Sequence, residues 1–295
     1  MQITGFSTNK TLNLGGQLMA LDSPKVMGIL NVTPDSFYDG GKYLTARELL
    51  LKVNKSLTDG ADLLDIGGYS TRPGAEEIPI EEEIRRSVGA IKTVIKHFPE
   101  AKISIDTFRS EVARAAVAEG AVMVNDVSGG ELDPAMFETV AKLNVPYVLM
   151  HMRGNPKTMT KLTDYDDVVR SVIDFMHPRI HRLTQLGQKD IIVDPGFGFA
   201  KTREQNFEML QKLDHFEILG KAMLVGLSRK SMVWKTLDIQ PQEALNGSTA
   251  LHAIALTKGA SILRVHDVKE CVQVVTLVRE LTRYSPSKIE KKEGQ

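Results

Sequence analysis

The sequence predicts one (β/α)8 barrel of the α/β class, a TIM barrel, with a short β-hairpin at its N-terminus. Eight short apolar or β-branched segments recur along the chain, and longer segments with helical spacing of apolar residues follow them. The 295 residues are enough for such a barrel, and no linker rich in Ser, Gly or Pro divides them. We therefore expect residues 1–295 to form a single domain, and an open parallel sheet is the alternative to a closed barrel.

The elements follow one another regularly along the chain. The predicted strands are KVMGILNV (25–32), ADLLDIG (61–67), KISID (102–106), AVMVND (121–126), PYVLMH (146–151), IIVDPG (191–196), AMLVGLS (222–228) and SILRVHD (261–267). The clearest helical segments are residues 45–60, 80–98, 109–120 and 167–187, three of which end on Gly. Residues 1 to about 20 alternate as a hairpin does, and the charged residues from about 285 to 295 are expected to form a flexible tail.

The composition argues against several function classes. Thirty-seven Lys and Arg residues balance 37 Asp and Glu residues, so no overall field favours nucleic acid or a membrane surface as a partner. One cysteine, Cys271, excludes an internal disulfide and a multi-cysteine zinc site. No apolar run approaches the roughly 20 residues of a membrane span, and the N-terminus does not resemble a signal peptide. We expect a cytoplasmic protein that handles small molecules.

Polar or ionisable side chains lie at or near the ends of all eight predicted strands. A polar residue at one strand end has no special meaning, but the C-terminal ends of all the strands in a parallel barrel meet at one mouth. Eight such ends with mixed chemistry therefore predict a functional site there. The residues are Asn31, Asp65, Asp106, Asn125, His151, Asp194, Ser228, and Arg264 with His266.

These residue types indicate a substrate with two chemically different ends. Asp106, Asn125 and Asp194 offer oxygen acceptors to a flat nitrogen heterocycle that carries several N–H donors. Arg264 and His266 are two apart on one strand, point the same way and suit a phosphate or pyrophosphate; the alternative is an ion pair between Arg264 and Asp267 or another acid. A magnesium ion would fit such a substrate, because Mg²⁺ binds phosphates together with few protein oxygens such as the Asn31 amide.

Loops after the strands carry further candidates. GYSTRPGAEEI (68–78) has the composition of a functional loop rather than of a minimal connection. In DPGFGFAKT (194–202) the glycines allow close approach of the backbone, and Phe199 could stack on a ring. In GLSRKSMVW (226–234), Lys230 could hydrogen-bond a ring carbonyl or stabilise developing negative charge.

Several segments resemble the motifs of the dihydropteroate synthase family, in the same order. GILNVTPDSFYDGG (28–41) and DIGGYSTRPGA (65–75) are similar to its two signature segments. The resemblance extends over about residues 25–270 and includes SIDTFRSEVA, VNDVSGG, MHMRGNP, DPGFGFAKT, VGLSRKSM and RVHDVKE. It implies a pterin-binding TIM barrel that joins p-aminobenzoate to 6-hydroxymethyl-7,8-dihydropterin pyrophosphate and releases pyrophosphate, with Mg²⁺ as cofactor. It also implies a homodimer and inhibition by sulfonamides, which mimic p-aminobenzoate.

The resemblance also implies roles for individual residues. Pterin binding falls to Asp106, Asn125, Asp194, Lys230 and Arg264. Pyrophosphate binding falls to Asn31, which also contacts the metal, and to Thr71, Arg264 and His266. The p-aminobenzoate slot falls to Thr33, Phe37, Arg72, Pro73, Phe199 and Ser228. The catalytic group consists of Asn31, Asp35, Asp106, Lys230, Arg264 and His266.

Two positions depart from the family pattern, and two other functions remain as alternatives. Tyr69 stands where the family commonly has Glu, and Ala200 stands where Gly is common. A pterin-dependent corrinoid methyltransferase would share the barrel and the pterin pocket. It would not need the segments NVTPDSF (31–37) and STRPG (70–74) or the Arg264–His266 pair. A non-catalytic pterin-binding barrel is the other alternative, and the intact loop motifs argue against it.

Overall fold

Eight parallel strands form a closed barrel in the computed structural model, which describes residues 11–33, 45–71 and 76–282. A hairpin of β1 (Thr11–Leu14) and β2 (Gln17–Ala20) precedes the barrel. The barrel strands are β3 (Lys25–Asn31), β4 (Leu63–Gly67), β5 (Ile103–Asp106), β6 (Ala121–Asp126), β7 (Tyr147–Met150), β8 (Ile191–Asp194), β9 (Ala222–Val225) and β10 (Ile262–Val265). Each strand pairs with the next, and β10 closes on β3 with Ile262 opposite Lys25. The barrel prediction is confirmed, and the open sheet is excluded.

Helices cover the outside of the barrel. They are α1 (Ala46–Thr58), α2 (Ile80–His97), α3 (Ser110–Ala118), α4 (Met136–Leu143), α5 (Val168–Gln185), α6 (Arg203–Gln211), α7 (Ser231–Leu237), α8 (Leu245–Thr257) and α9 (Val268–Thr282). Capping boxes begin two of them: the Thr45 hydroxyl accepts from the Glu48 amide in α1, and Thr202 and Gln205 repeat the arrangement in α6. The four helical segments predicted from the sequence are confirmed within one or two residues at each end.

Alternation along the strands decides which side chains face the barrel interior. In β3, Val26 and Leu30 pack in the core beneath the helices, whereas Ile29 and Asn31 line the cavity at the mouth. Because successive side chains of a strand point to opposite faces, the polar residue at a strand end faces the interior together with the residue two positions earlier, as Asn31 does with Ile29. The interior is therefore apolar at its N-terminal end and polar at its C-terminal end.

The hairpin closes the apolar end of the barrel. Leu12, Leu14 and Met19 are buried against interior residues such as Met27 and Leu63. Gly15 and Gly16 form its two-residue turn with φ values of 62° and 96°, the left-handed conformations that such turns require. The hairpin prediction is confirmed for residues 11–20, whereas residues 1–10 and the predicted tail lie outside the described residues.

The setting of the only cysteine and the length and polarity of the described helices agree with what the composition predicts. Cys271 lies buried in α9, where burial raises the pKa of its thiol to about 12, so it is a packing residue. In the described part of the chain, no helix is both long and apolar enough to cross a membrane.

Candidate active site

A cavity of about 340 Å³ opens at the C-terminal mouth of the barrel and brings together residues from most of its strands. The predicted residues that line it are Asn31, Thr33, Thr71, Asp106, Asn125, Asp194, Phe199, Ser228, Lys230, Arg264 and His266. Four further predictions, Asp35, Phe37, Arg72 and Pro73, lie outside the described residues. His151 does not line the cavity: it is buried behind it, with its ring packed edge-on against Phe175 at 4.8 Å.

Arg264 organises the floor of this cavity. Its Nε donates to Asp65 Oδ2 at 2.6 Å and its Nη2 donates to Asp106 Oδ2 at 2.7 Å. Asn125 Nδ2 also donates to Asp65 Oδ2, at 2.9 Å. Arg264 therefore pairs with acids inside the site, and Asp267, the other partner considered from the sequence, pairs with Arg229 instead.

Several polar atoms of the floor remain available to a ligand. Within the described residues, Asn125 Oδ1, Asp106 Oδ1 and Asp194 Oδ2 accept no hydrogen bond, because the hydrogen bonds of these side chains use Asn125 Nδ2, Asp106 Oδ2 and Asp194 Oδ1. Lys230 Nζ likewise has no hydrogen-bond partner among those residues, and it lies 4.3 Å from the centroid of the Phe199 ring. The floor thus presents three oxygen acceptors and one ammonium donor.

Burial shifts the protonation of these groups toward their neutral forms. It raises the pKa of Asp106 to about 7, an effect that Arg264 opposes and Asp65 reinforces. Burial also raises the pKa of Asp194, against the Gly196 amide hydrogen bond and the charge of Lys230. Burial and the neighbouring Arg264 lower the pKa of Lys230 to about 8. Protonation in this floor is therefore sensitive to what the cavity binds.

His266 and Ser228 form the opposite wall. The Ser228 hydroxyl lies 3.1 Å from Nδ1 of His266 and accepts the His266 backbone amide at 3.2 Å. Burial and then the charge of Arg264 lower the pKa of His266 to about 3, so the imidazole is neutral at pH 7 in this structure. The sequence predicted a pair of cations here, and the structure instead has one cation and a neutral imidazole.

Arg229 sets the direction of the two residues beside it. Its φ of 54° is left-handed, and its guanidinium donates to both carboxylate oxygens of Asp267, at 2.9 and 2.6 Å. This kink turns both Ser228 and Lys230 toward the cavity, and the ion pair fastens the loop after β9 to the end of β10.

The two departures from the family pattern have clear structural settings. Tyr69 lines the cavity, packs edge-on against Phe108 at 5.0 Å and lies 5.1 Å below the guanidinium carbon of Arg109. Ala200 is buried with a φ of 49°, in the left-handed region that glycine adopts without strain.

Asn31 fits the role of a magnesium ligand. Its side chain lies at the cavity wall and makes no hydrogen bond to the described residues, so its amide oxygen is available. The described residues contain no group of three or more His, Cys, Asp or Glu side chains placed to hold a metal. The usual coordination of Mg²⁺, with few protein oxygens and with water and substrate phosphate as the other ligands, fits a site of this kind.

Comparison with known proteins places the chain in a family. A model of the pterin binding enzyme family matches residues 27–266. The dihydropteroate synthase of Escherichia coli (strain K12) is 42% identical over 265 residues, which cover 89% of this chain and 93% of that protein. The chain belongs to the dihydropteroate synthase family. Its members are transferases of folate biosynthesis, and the resemblance noted from the motifs is confirmed.

Solved dihydropteroate synthases share the fold closely. A Yersinia pestis enzyme in a sulfonamide drug complex has a TM-score of 0.88 and 40% identity, covering 93% of this chain and 100% of that chain. A Xanthomonas albilineans enzyme with 4-aminobenzoic acid has a TM-score of 0.86 and 41% identity, covering 95% of this chain and 100% of that chain. These similarities do not favour the corrinoid methyltransferase or the non-catalytic barrel.

Asp65 is the main site residue to which the sequence reasoning gave no role. It is fully buried and holds both Arg264 and Asn125 through Oδ2, and its Oδ1 accepts no hydrogen bond from the part of the chain that the structure describes. Alternation along β4 predicts that Asp65 faces the barrel interior, because Leu63, two positions earlier, faces it.

Proposed function

We propose that this dihydropteroate synthase binds the pterin ring on the floor formed by Asp106, Asn125 and Asp194. The observation that carries the assignment is a set of three acceptor oxygens and the Lys230 ammonium, none of which has a hydrogen-bond partner at these atoms among the described residues. A dihydropterin presents an edge with several N–H donors and a ring carbonyl, so it complements both features. Arg264 itself lies beside the ring and keeps Asp65 and Asp106 in place.

The pyrophosphate end of the substrate would occupy the wall with Asn31, Thr71, Arg264 and His266. The Ser228 hydroxyl at Nδ1 of His266 favours the tautomer with the proton on Nε2, which can then donate to a phosphate oxygen. Bound phosphate would raise the pKa of His266 above its value in this structure, because the added negative charge favours the imidazolium. Asn31 would hold Mg²⁺, which neutralises charge on the departing pyrophosphate when it is bound.

The reaction is a displacement at the pterin methylene. The bond between this carbon and the pyrophosphate oxygen breaks first, and its electron pair leaves with pyrophosphate. The electron-rich ring shares the resulting positive charge, which Asp106 and Asp194 stabilise from the floor. The neutral aromatic amine then forms the carbon–nitrogen bond and releases a proton to solvent, so no strong general base is needed.

The p-aminobenzoate slot would lie between Phe199, Ser228 and Thr33 at the cavity edge. All three line the cavity, and a related enzyme has been solved with 4-aminobenzoic acid. Phe37, Arg72 and Pro73 would complete the slot. Asp35, in the segment 28–41, would belong to the catalytic group.

The decisive experiment measures pyrophosphate release from dihydropterin pyrophosphate by the purified protein with Mg²⁺. Release that requires p-aminobenzoate and yields dihydropteroate supports the proposal. Absent release, or release at the same rate without the amine, refutes it.

We also propose a homodimer in the cytoplasm. Leu277 and Leu281 lie one turn apart on α9 and are 71% and 64% exposed, an apolar face that a second copy would cover. Light scattering on the purified protein tests the assembly. If L277E/L281E has the same mass as the wild-type protein, this face is not the interface.

A further inference from the structure

Lys201 carries a buried ammonium group just behind the cavity. Its Nζ lies 2.9 Å from Nδ1 of His151 and donates to the backbone carbonyls of Gly196 and Phe199, each at 3.0 Å. No carboxylate of the described residues lies within 4 Å of it. The ammonium therefore holds the loop mainly through two carbonyl groups and one imidazole.

The loop around this ammonium has an unusual backbone. Gly196, Gly198 and Ala200 alternate along it with left-handed φ values of 73°, 79° and 49°. A left-handed residue at every second position turns the carbonyls of Gly196 and Phe199 inward, toward Nζ. Lys201 Nζ therefore donates hydrogen bonds to carbonyl groups that would accept from backbone amides in a strand or helix.

The same loop contacts the proposed site at three points. The Gly196 amide donates to Asp194 Oδ1 at 2.8 Å, and the Phe199 ring lies 4.3 Å from Lys230 Nζ. A Cβ atom added at Gly198 would lie 3.1 Å from Cδ of Lys230, so backbone and lysine are already in close contact. A shift of the loop would therefore move Phe199 relative to Lys230.

We propose that Lys201 is a positioning residue for the aromatic amine: its ammonium fixes Phe199 against Lys230 and so shapes the p-aminobenzoate slot. This inference rests on the proposed function, since it assumes that Phe199 lines that slot. Lys201 does not line the cavity and touches no substrate in this assignment.

The environment of Lys201 adds a second measurable property. Burial lowers the pKa of Lys201 to about 7; Asp194 opposes this change, whereas Lys230 and Arg153 reinforce it. His151, the fourth group that faces it, is neutral because burial lowers its pKa to about 2. Above pH 7 the ammonium loses its charge, and its hydrogen bonds to the two carbonyls weaken.

The test compares Lys201→Met with the wild-type enzyme. We expect KM for p-aminobenzoate to rise by about tenfold or more, and Kd for the pterin pyrophosphate, measured by calorimetry, to change by less than about twofold. Lys212→Met is the matched control, because Lys212 pairs with Glu208 on the surface, and it should change neither constant. Equal changes in both constants, or no change in folded K201M, would overturn the proposal.

Two further measurements separate positioning from a general structural role. In a Phe199→Ala background, K201M should add little to the rise in KM, because the group through which it acts is gone. In the wild-type enzyme, KM for p-aminobenzoate should rise as pH passes about 7, and this step should be absent from K201M. Full additivity, or a wild-type KM that is flat through this range, contradicts the proposal.

If K201M does not fold, a wild-type KM that is flat through pH 7 still refutes the proposal. A rise supports the proposal only when K201M lacks the step, because the pKa of Asp106 is also about 7 and that of Lys230 is about 8. Failure of the proposed function looks different: the wild-type enzyme would then release no pyrophosphate in response to p-aminobenzoate.

Discussion

Replacing Asp106 with asparagine should make the protein more stable at pH 8 and much less active. In the folded protein, burial raises the pKa of Asp106 to about 7, compared with 3.8 in an unfolded chain. The native state therefore holds this proton more tightly than the unfolded state does. The stability that this provides is complete below pH 4 and is lost as pH rises through 7, by at most about 4 kcal/mol. The amide of D106N does not titrate, so the variant would keep its stability at high pH.

The same substitution should weaken pterin binding. An asparagine that accepts from Arg264 turns its NH₂ group toward the cavity, where the ring needs an acceptor. The lost hydrogen bond to a charged group corresponds to about 2–3 kcal/mol, or roughly 30- to 150-fold in Kd.

The assay is urea unfolding of both proteins between pH 4 and pH 8, together with calorimetry of pterin binding. Asp133→Asn is a control with the opposite sign, because hydrogen bonds to the Ser110 and Ala135 amides outweigh burial and lower the pKa of Asp133. D133N should lose stability at pH 8 and keep its pterin affinity. If D106N is no more stable than the wild-type protein at pH 8, or binds pterin equally well, the assignment of Asp106 is wrong.

Three further predictions concern other parts of the chain. Asn31→Ala should lower kcat by about 100-fold or more while pterin affinity changes only severalfold, because Asn31 acts on the departing pyrophosphate. If kcat and the pterin affinity measured by calorimetry fall by the same factor, Asn31 does not have that role. His252→Leu should resist mild acid better than the wild-type protein. Burial lowers the pKa of His252 to about 4, and neither ring nitrogen has a hydrogen-bond partner among the described residues. The wild-type protein therefore loses stability as pH falls from about 6.5 toward 4. If the melting temperatures of H252L and the wild-type protein fall equally over this pH range, the prediction is wrong. A sulfonamide should compete with p-aminobenzoate, and inhibition that persists at saturating p-aminobenzoate would refute the shared slot.

The barrel and the side of each strand that faces its interior could be predicted from the sequence. Arg264 lies in β10 and His266 directly follows this strand, so alternation places the two side chains together. The rule that strand ends meet at one mouth places Asn31 and Asp194 with them. These inferences need only local periodicity and the closure of the sheet, which is why they succeed without coordinates.

Pairings across the interior could not be predicted in this way. Arg264 lies 199 residues from Asp65 and 158 from Asp106, and alternation does not say which interior side chains meet. The choice between Asp267 and the interior acids depends on Arg229, whose left-handed backbone directs its own guanidinium to Asp267. The neutral state of His266 likewise follows from burial beside Arg264, which spacing along a strand does not reveal.

Backbone strain in the described chain is concentrated where the proposed chemistry takes place. Among the described residues, the non-glycine residues with left-handed backbones are Asn144, Ala200, Arg229 and Asp238. Asn144 and Asp238 end helices α4 and α7, which is an ordinary use of this conformation. Ala200 and Arg229 end no helix and lie in the two loops that carry Phe199, Ser228 and Lys230. The apolar end of the barrel and the core beneath the helices offset this strain and the buried charges, so substitutions that relax the mouth should stabilise the barrel and slow the enzyme.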